Sequence, residues 1–286
     1  MVQPSAVCIL VVLLGVCSVT ARQAKPTFEV ASVKVQPQAS AEGIPAIVAQ
    51  APFMTFQGGR FRAGNATATW LLMRAYGHEY RLPDQIVGRS EWLDQQRFEI
   101  EATSPMTASS GSPSIIPEPV LGMLRTLLET RFQLRVKQEL RERPVYALVR
   151  ARKDGRLGEG LRASTEDCTT TVDARPGEPG FRKDCIGQLR IDGVKLVGRP
   201  MDELVRFLTS RVGRLVLDET ALTGTFDVEL WYDVPKVPAN ISPAGVAEFS
   251  AGVFTGVQED LGLKLESVVR PVPVLVIEHI ERPSAN

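Results

Sequence analysis

GTFDVELWYD, residues Gly224–Asp233, and QRFEIEA, residues Gln96–Ala102, are two versions of one pattern, and their reading decides the fold. Each follows an apolar, helix-like segment and a turn containing glycine, and each is entered through a phenylalanine, Phe226 or Phe98. Side chains in a strand alternate between two faces. Phe98, Ile100 and Ala102 therefore oppose Glu99 and Glu101, while Phe226, Val228, Leu230 and Tyr232 oppose Asp227, Glu229 and Trp231. One face is core and the other is wet, the mark of an antiparallel or mixed sheet covered by helices on one side. The fold class expected is α+β, not a doubly wound parallel sheet.

The likeness extends outward from these strands. GGRFRAGNATATWLLMRAYG runs a strand into a helix whose apolar residues are Trp70, Leu71, Met73 and Ala75; DGVKLVGRPMDELVRFLTSRVG does the same with Leu204, Val205, Phe207 and Leu208. Further on, a helix and a strand precede Pro144 in one copy and Pro271 in the other, and a further strand follows each proline. Phe98 to Phe226 and Pro144 to Pro271 are both separated by about 128 residues, the size of a module and longer than a solenoid repeat. The sequence thus reads as a tandem duplication of a β-α-β-β-α-β-β unit, over 57–153 and 191–286. Between the copies, 154–190 reads as a polar, glycine-containing linker carrying Cys168 and Cys185. Ahead of them, 22–56 holds one added strand, FEVASVKVQP, and a loop.

Composition bounds the rest. A chain of 286 residues with 44% hydrophobic and 23% charged content can bury a sizeable core. Its 33 basic residues equal its 33 acidic ones, so no electrostatic footprint argues for nucleic acid or an anionic membrane surface. The uncharged apolar run Ala6–Val19 is short for a bilayer span and is followed by the small-residue site Val19-Thr20-Ala21. Residues 1–21 therefore read as a secretory signal, with no membrane span after its cleavage, and the mature protein as periplasmic or extracellular. Removal of the signal takes Cys8 and Cys17 with it, leaving Cys168 and Cys185 to pair as one disulfide in an oxidising compartment.

Several of these segments together carry a resemblance. FEVASVKVQ, WLLMRAYG leading to QIVGRSEWLDQQRFEIEA, LLETRFQLRVKQELRERPVYALV, LTGTFDVEL and VLVIEHIERPSAN resemble, in the same order, the soil-associated proteins found mainly in Acidobacteria, a family of unknown function. The resemblance covers almost the whole mature chain and implies an exported envelope protein; it brings no catalytic residue. The first half of each copy also resembles, by strand order alone, the short N-terminal domain of secretins and TonB-dependent receptors.

No catalytic signature emerges from the residues. His78 and His279 are the two histidines, and His78-Glu79 lacks the second histidine of a zinc motif, so no metal or cofactor is expected. The glycines of GRLGEG, Gly155 to Gly160, have no strand feeding a helix and do not make a phosphate loop. Exposed aromatics give the stronger indication: Trp92 in a turn and Trp231 on the polar phase of its strand are the candidate binding residues. The favoured reading is a non-catalytic envelope module that binds a protein, peptide or glycan. The alternative is a secreted hydrolase with a carboxylate site between the repeats, built from Asp218, Asp227 and His279.

Overall fold

A computed structural model describes residues 25–36, 51–77, 79–107, 116–169, 182–185, 187–233 and 243–283; the side chains of 243–250 are not among what it describes. The N-terminal apolar run, Cys8, Cys17 and His78 lie outside the described residues. Helices and strands combine in antiparallel and mixed sheets, the α+β class expected.

The first sheet is antiparallel, in the order β1 (Val30–Gln36), β5 (Arg97–Thr103), β3 (Arg60–Thr67), β2 (Phe53–Gln57). Its core face carries Phe98, Ile100 and Ala102, all buried, as the alternation requires. Helix α1 (Ala68–Tyr76) starts where the Thr67 hydroxyl accepts the Trp70 N–H at 3.2 Å, and packs on this sheet beside α3 (Glu118–Arg131). A single turn, α2 (Trp92–Gln95), precedes β5.

The second sheet repeats that arrangement: β7 (Leu161–Ala163), β11 (Phe226–Trp231), β9 (Gly193–Arg199), β8 (Gln188–Arg190). Phe226, Val228, Leu230 and Tyr232 are buried under α4 (Met201–Val212) and α5 (Pro243–Glu259). The stretch 154–190 is therefore more than a linker, because it supplies both edge strands of this sheet. Its glycines are set by close backbone approach. A Cβ on Gly158 would lie 2.1 Å from the Asp260 carbonyl oxygen, and one on Gly160 would lie 2.3 Å from that of Glu229.

A third sheet joins the halves. β6 (Arg135–Arg150) and β12 (Leu263–His279) form a long antiparallel ribbon. β10 (Val216–Asp218), from the second half, pairs parallel with β6, and β4 (Ile86–Val87), from the first, pairs parallel with β12. Each ribbon strand ends in the other half's core: Leu148 packs with the second-half residues and Leu275 with the first.

The ribbon corrects one sequence expectation. Pro144 and Pro271 do not separate two strands; each lies inside a single strand of 16 or 17 residues. Tyr146 donates its N–H outward to Leu215, at 2.8 Å, so the nitrogen of Pro144, two residues earlier, also faces away from β12. The missing N–H falls where no neighbouring strand is paired, and the ladder to β12 is intact.

Both halves carry the same irregularity. β3 and β9 bulge opposite Glu99 and Asp227. The left-handed residue at the bulge is Asn65 (φ 54°) in one and Gly198 (φ 60°) in the other. Each has its N–H capped by a side chain, Gln36 Oε1 or Asp227 Oδ1, both at 3.0 Å. Gly198 is thus matched in the first half by Asn65.

Candidate functional site

The residues singled out in the sequence do not converge. Trp92 is half-buried at the edge of the first core, edge-on to Phe98 at 6.4 Å, with the Arg282 guanidinium 5.5 Å from its ring centre. Trp231, in the other half, is half-buried beneath Arg190 at 5.6 Å and donates its indole N–H to Glu229. Each ring thus has an arginine over it, and the one over Trp92 comes from the segment that follows β12.

The three residues of the hydrolase alternative are dispersed. Asp218 pairs with Leu148 near one end of β6, whereas His279 pairs with Arg135 at the other. Thirteen residues of strand separate those positions, about 40 Å at the usual rise. Asp218 accepts the Thr220 N–H and hydroxyl, and His279 is bonded to Glu281 at 2.9 Å. Among the described residues no group of three or more His, Cys, Asp or Glu is placed to hold a metal ion.

Asp227 holds the bulge. It accepts the Gly198 N–H at 3.0 Å and faces Arg162 at 3.0 Å. Burial alone would raise its pKa, but hydrogen bonds from Ser164 and Gly198 and the charge of Arg162 outweigh that and hold it below the ordinary carboxylate value. A depressed pKa stabilises the folded state above the unfolded value, about 4, and the contribution is lost as pH falls through the folded pKa. Asp227→Asn is expected to cost about 1–2 kcal/mol at pH 7. The difference from the natural protein should narrow towards pH 2 in urea unfolding; an undiminished gap there would contradict this role.

What the fold does assemble is a cleft between the halves. Arg81, in the loop after α1, is salt-bridged to Asp202 of α4, and this pair divides the cleft. One part, about 590 Å³, is lined by Val205, Leu215, Leu217, Pro273 and Asp218. The other, about 460 Å³ and more enclosed, has Trp70, Met73, Ile116 and Leu121 along it, with Arg74, Arg81 and Arg206 at its rim. A larger hollow of about 820 Å³ at the ribbon end is lined by charges of both signs that largely pair within the chain, among them Lys25 with Glu129.

Trp70 and Met73, read in the sequence as apolar residues of this helix, do pack against the first core, but they also line the cleft, which the sequence did not show. The buried side of α1 is Ala68, Thr69, Leu71, Leu72 and Ala75, which leaves Trp70 and Met73 half-exposed towards the cleft. Their spacing, i and i+3, puts them on one helix face, but the pattern does not say whether that face meets the chain's own core. Arg74 follows directly, with its guanidinium 5.8 Å from the Trp70 ring centre.

This architecture, two α+β halves sharing a strand ribbon over a cleft, occurs in a chain matched over residues 69–280 by the family described as a protein of unknown function, DUF3738. The chain belongs to that family. No curated protein and no solved structure matches it.

Proposed function

We propose that the protein is an exported, non-catalytic binding module of the cell envelope that receives its ligand in the cleft between its halves. The observation that carries this reading is the 460 Å³ chamber, in which half-exposed Trp70, Met73 and Leu121 meet three arginines. Its volume lies in the range of small-molecule sites, and apolar walls with a few polar groups are what such sites present. Export is supported by the apolar run Ala6–Val19 and by Cys168 and Cys185 standing at bonding distance. Among the described residues no helix is long and apolar enough to cross a membrane. The recurring order of elements in the two halves supports a tandem duplication, with the cleft arising where the copies meet.

The test uses lipid, glycan and peptide fractions of an envelope extract, with the melting temperature of the purified protein as readout. Ser210→Trp, at an exposed lining position of α4, fills the chamber without touching the core. One fraction should raise the melting temperature of the natural protein and leave the variant unmoved. An equal shift in both, or no shift with any fraction, would remove the cleft as the site. Turnover of chromogenic esters or glycosides that vanishes in Asp227→Asn would replace the binding reading with an enzymatic one.

A further inference from the structure

We infer that the enclosed chamber takes a single-chain anionic amphiphile, an acyl chain whose carboxylate head is held at Arg74; this inference rests on the cleft being the ligand site. The charge pattern comes first. Arg81 is paired with Asp202, and Arg206 lies near Asp202 and Glu203 at 3.3 and 3.9 Å. Arg74 has no acidic partner among the described residues, and its recorded contact is the face of Trp70. Among the described residues the one carboxylate lining the chamber, Glu118, is bound to Arg125. The rim therefore presents an uncompensated cation above an apolar wall.

The hydrogen-bonding inventory then separates two kinds of anionic ligand. α1, α3 and α4 supply most of the wall, and the backbone N–H groups of helix interiors are spent within their own helices. The two α4 hydroxyls are committed as well: Thr209 accepts the Val216 N–H at 3.0 Å, and Ser210 donates to the Phe207 carbonyl at 2.7 Å, while the Tyr80 hydroxyl is buried away from the chamber's surface. Among the described residues no strand edge lines the chamber. An extended peptide seated there would leave its own N–H and C=O groups without partners, a desolvation cost incurred at every residue. An acyl chain has no such groups: its methylenes gain from the Trp70, Met73, Ile116 and Leu121 surfaces, and its head needs a single cation.

Dodecanoate is the probe, with dodecanol, dodecyltrimethylammonium and acetyl-trileucine with a free carboxylate as comparisons, all titrated calorimetrically below their aggregation concentrations. Trp70 emission in a Trp92→Phe/Trp231→Phe background provides a second readout, since the chain has three tryptophans. Dodecanoate should bind saturably and shift Trp70 emission, and Ser210→Trp should abolish both. Arg74→Gln, at an exposed position, should weaken dodecanoate about tenfold while leaving dodecanol within about twofold and the melting temperature unchanged. Dodecanol binding as tightly as dodecanoate, an unchanged affinity in Arg74→Gln, or tighter binding of the peptide would each overturn the ligand class. If dodecanoate fails while an envelope fraction still gives a shift that Ser210→Trp blocks, the ligand class falls and the cleft stands. If dodecanoate and every fraction fail, both fall.

Discussion

Phe98→Ala is expected to cost about 4 kcal/mol and to lower one unfolding transition shared by both halves, by on the order of 10 °C. Phe98 is fully buried, edge-on to Phe132 at 5.2 Å and to Trp92 at 6.4 Å, so truncation leaves a cavity and breaks two aromatic contacts. Phe226→Ala, at the corresponding place in the second sheet, should cost about 3 kcal/mol and lower the same transition. A single transition is expected because the halves are not separable bodies. β6 leaves the first half and ends with Leu148 in the second core, while β12 leaves the second and ends with Leu275 in the first. β4 and β10 are likewise paired across the boundary. Unfolding either half exposes apolar surface of the other, which couples them. Calorimetry of the two variants checks this: two resolved transitions, with only one of them moved by each substitution, would mean the ribbon does not couple the halves.

How far the sequence could be read follows from which forces act locally. The strands around Phe98 and Phe226 were legible because a two-residue period is written in consecutive residues and the burial matches it position by position. The recurrence of elements was legible for the same reason. The partner of a strand is not written locally, so the shared ribbon was not. Pro144 and Pro271 look like breaks in the chain, and their tolerance depends on a neighbouring strand being absent on one side. β7 and β8, three residues each, carry too little alternation to stand out within a polar stretch. At the site, Trp92 and Trp231 were singled out as surface aromatics, and each is half-buried with an arginine over it. Trp70 was passed over because a tryptophan in an apolar helix looks like core. Only the arrival of α4 from the other half makes its flank the wall of a chamber.

Replacing Cys168 and Cys185 with serine is expected to cost about 3 kcal/mol, the loop-closure contribution of a bridge spanning 17 residues. The cysteine Cα atoms are 5.4 Å apart, and both side chains are buried. The bridge is also tied to the second sheet. The Cys168 N–H donates to the Gly198 carbonyl at 3.1 Å. A Cβ on Gly198, where φ is +60°, would come 2.6 Å from the Glu166 carbonyl oxygen and 3.0 Å from the Cys168 sulfur. Gly198 thus meets two demands at once, a left-handed backbone and contact with the bridged segment. Reduction should therefore loosen the β9 bulge, which Asp227 also holds, and the serine and Asp227→Asn effects should not add, since residues sharing one network couple. Urea unfolding with and without reductant measures the first effect, and a double-mutant cycle the second. Thiol counting on unfolded, unreduced protein should find none if export has removed Cys8 and Cys17, and up to two if that segment is retained. A urea midpoint unmoved by reduction would show that the cysteines do not hold this edge of the sheet.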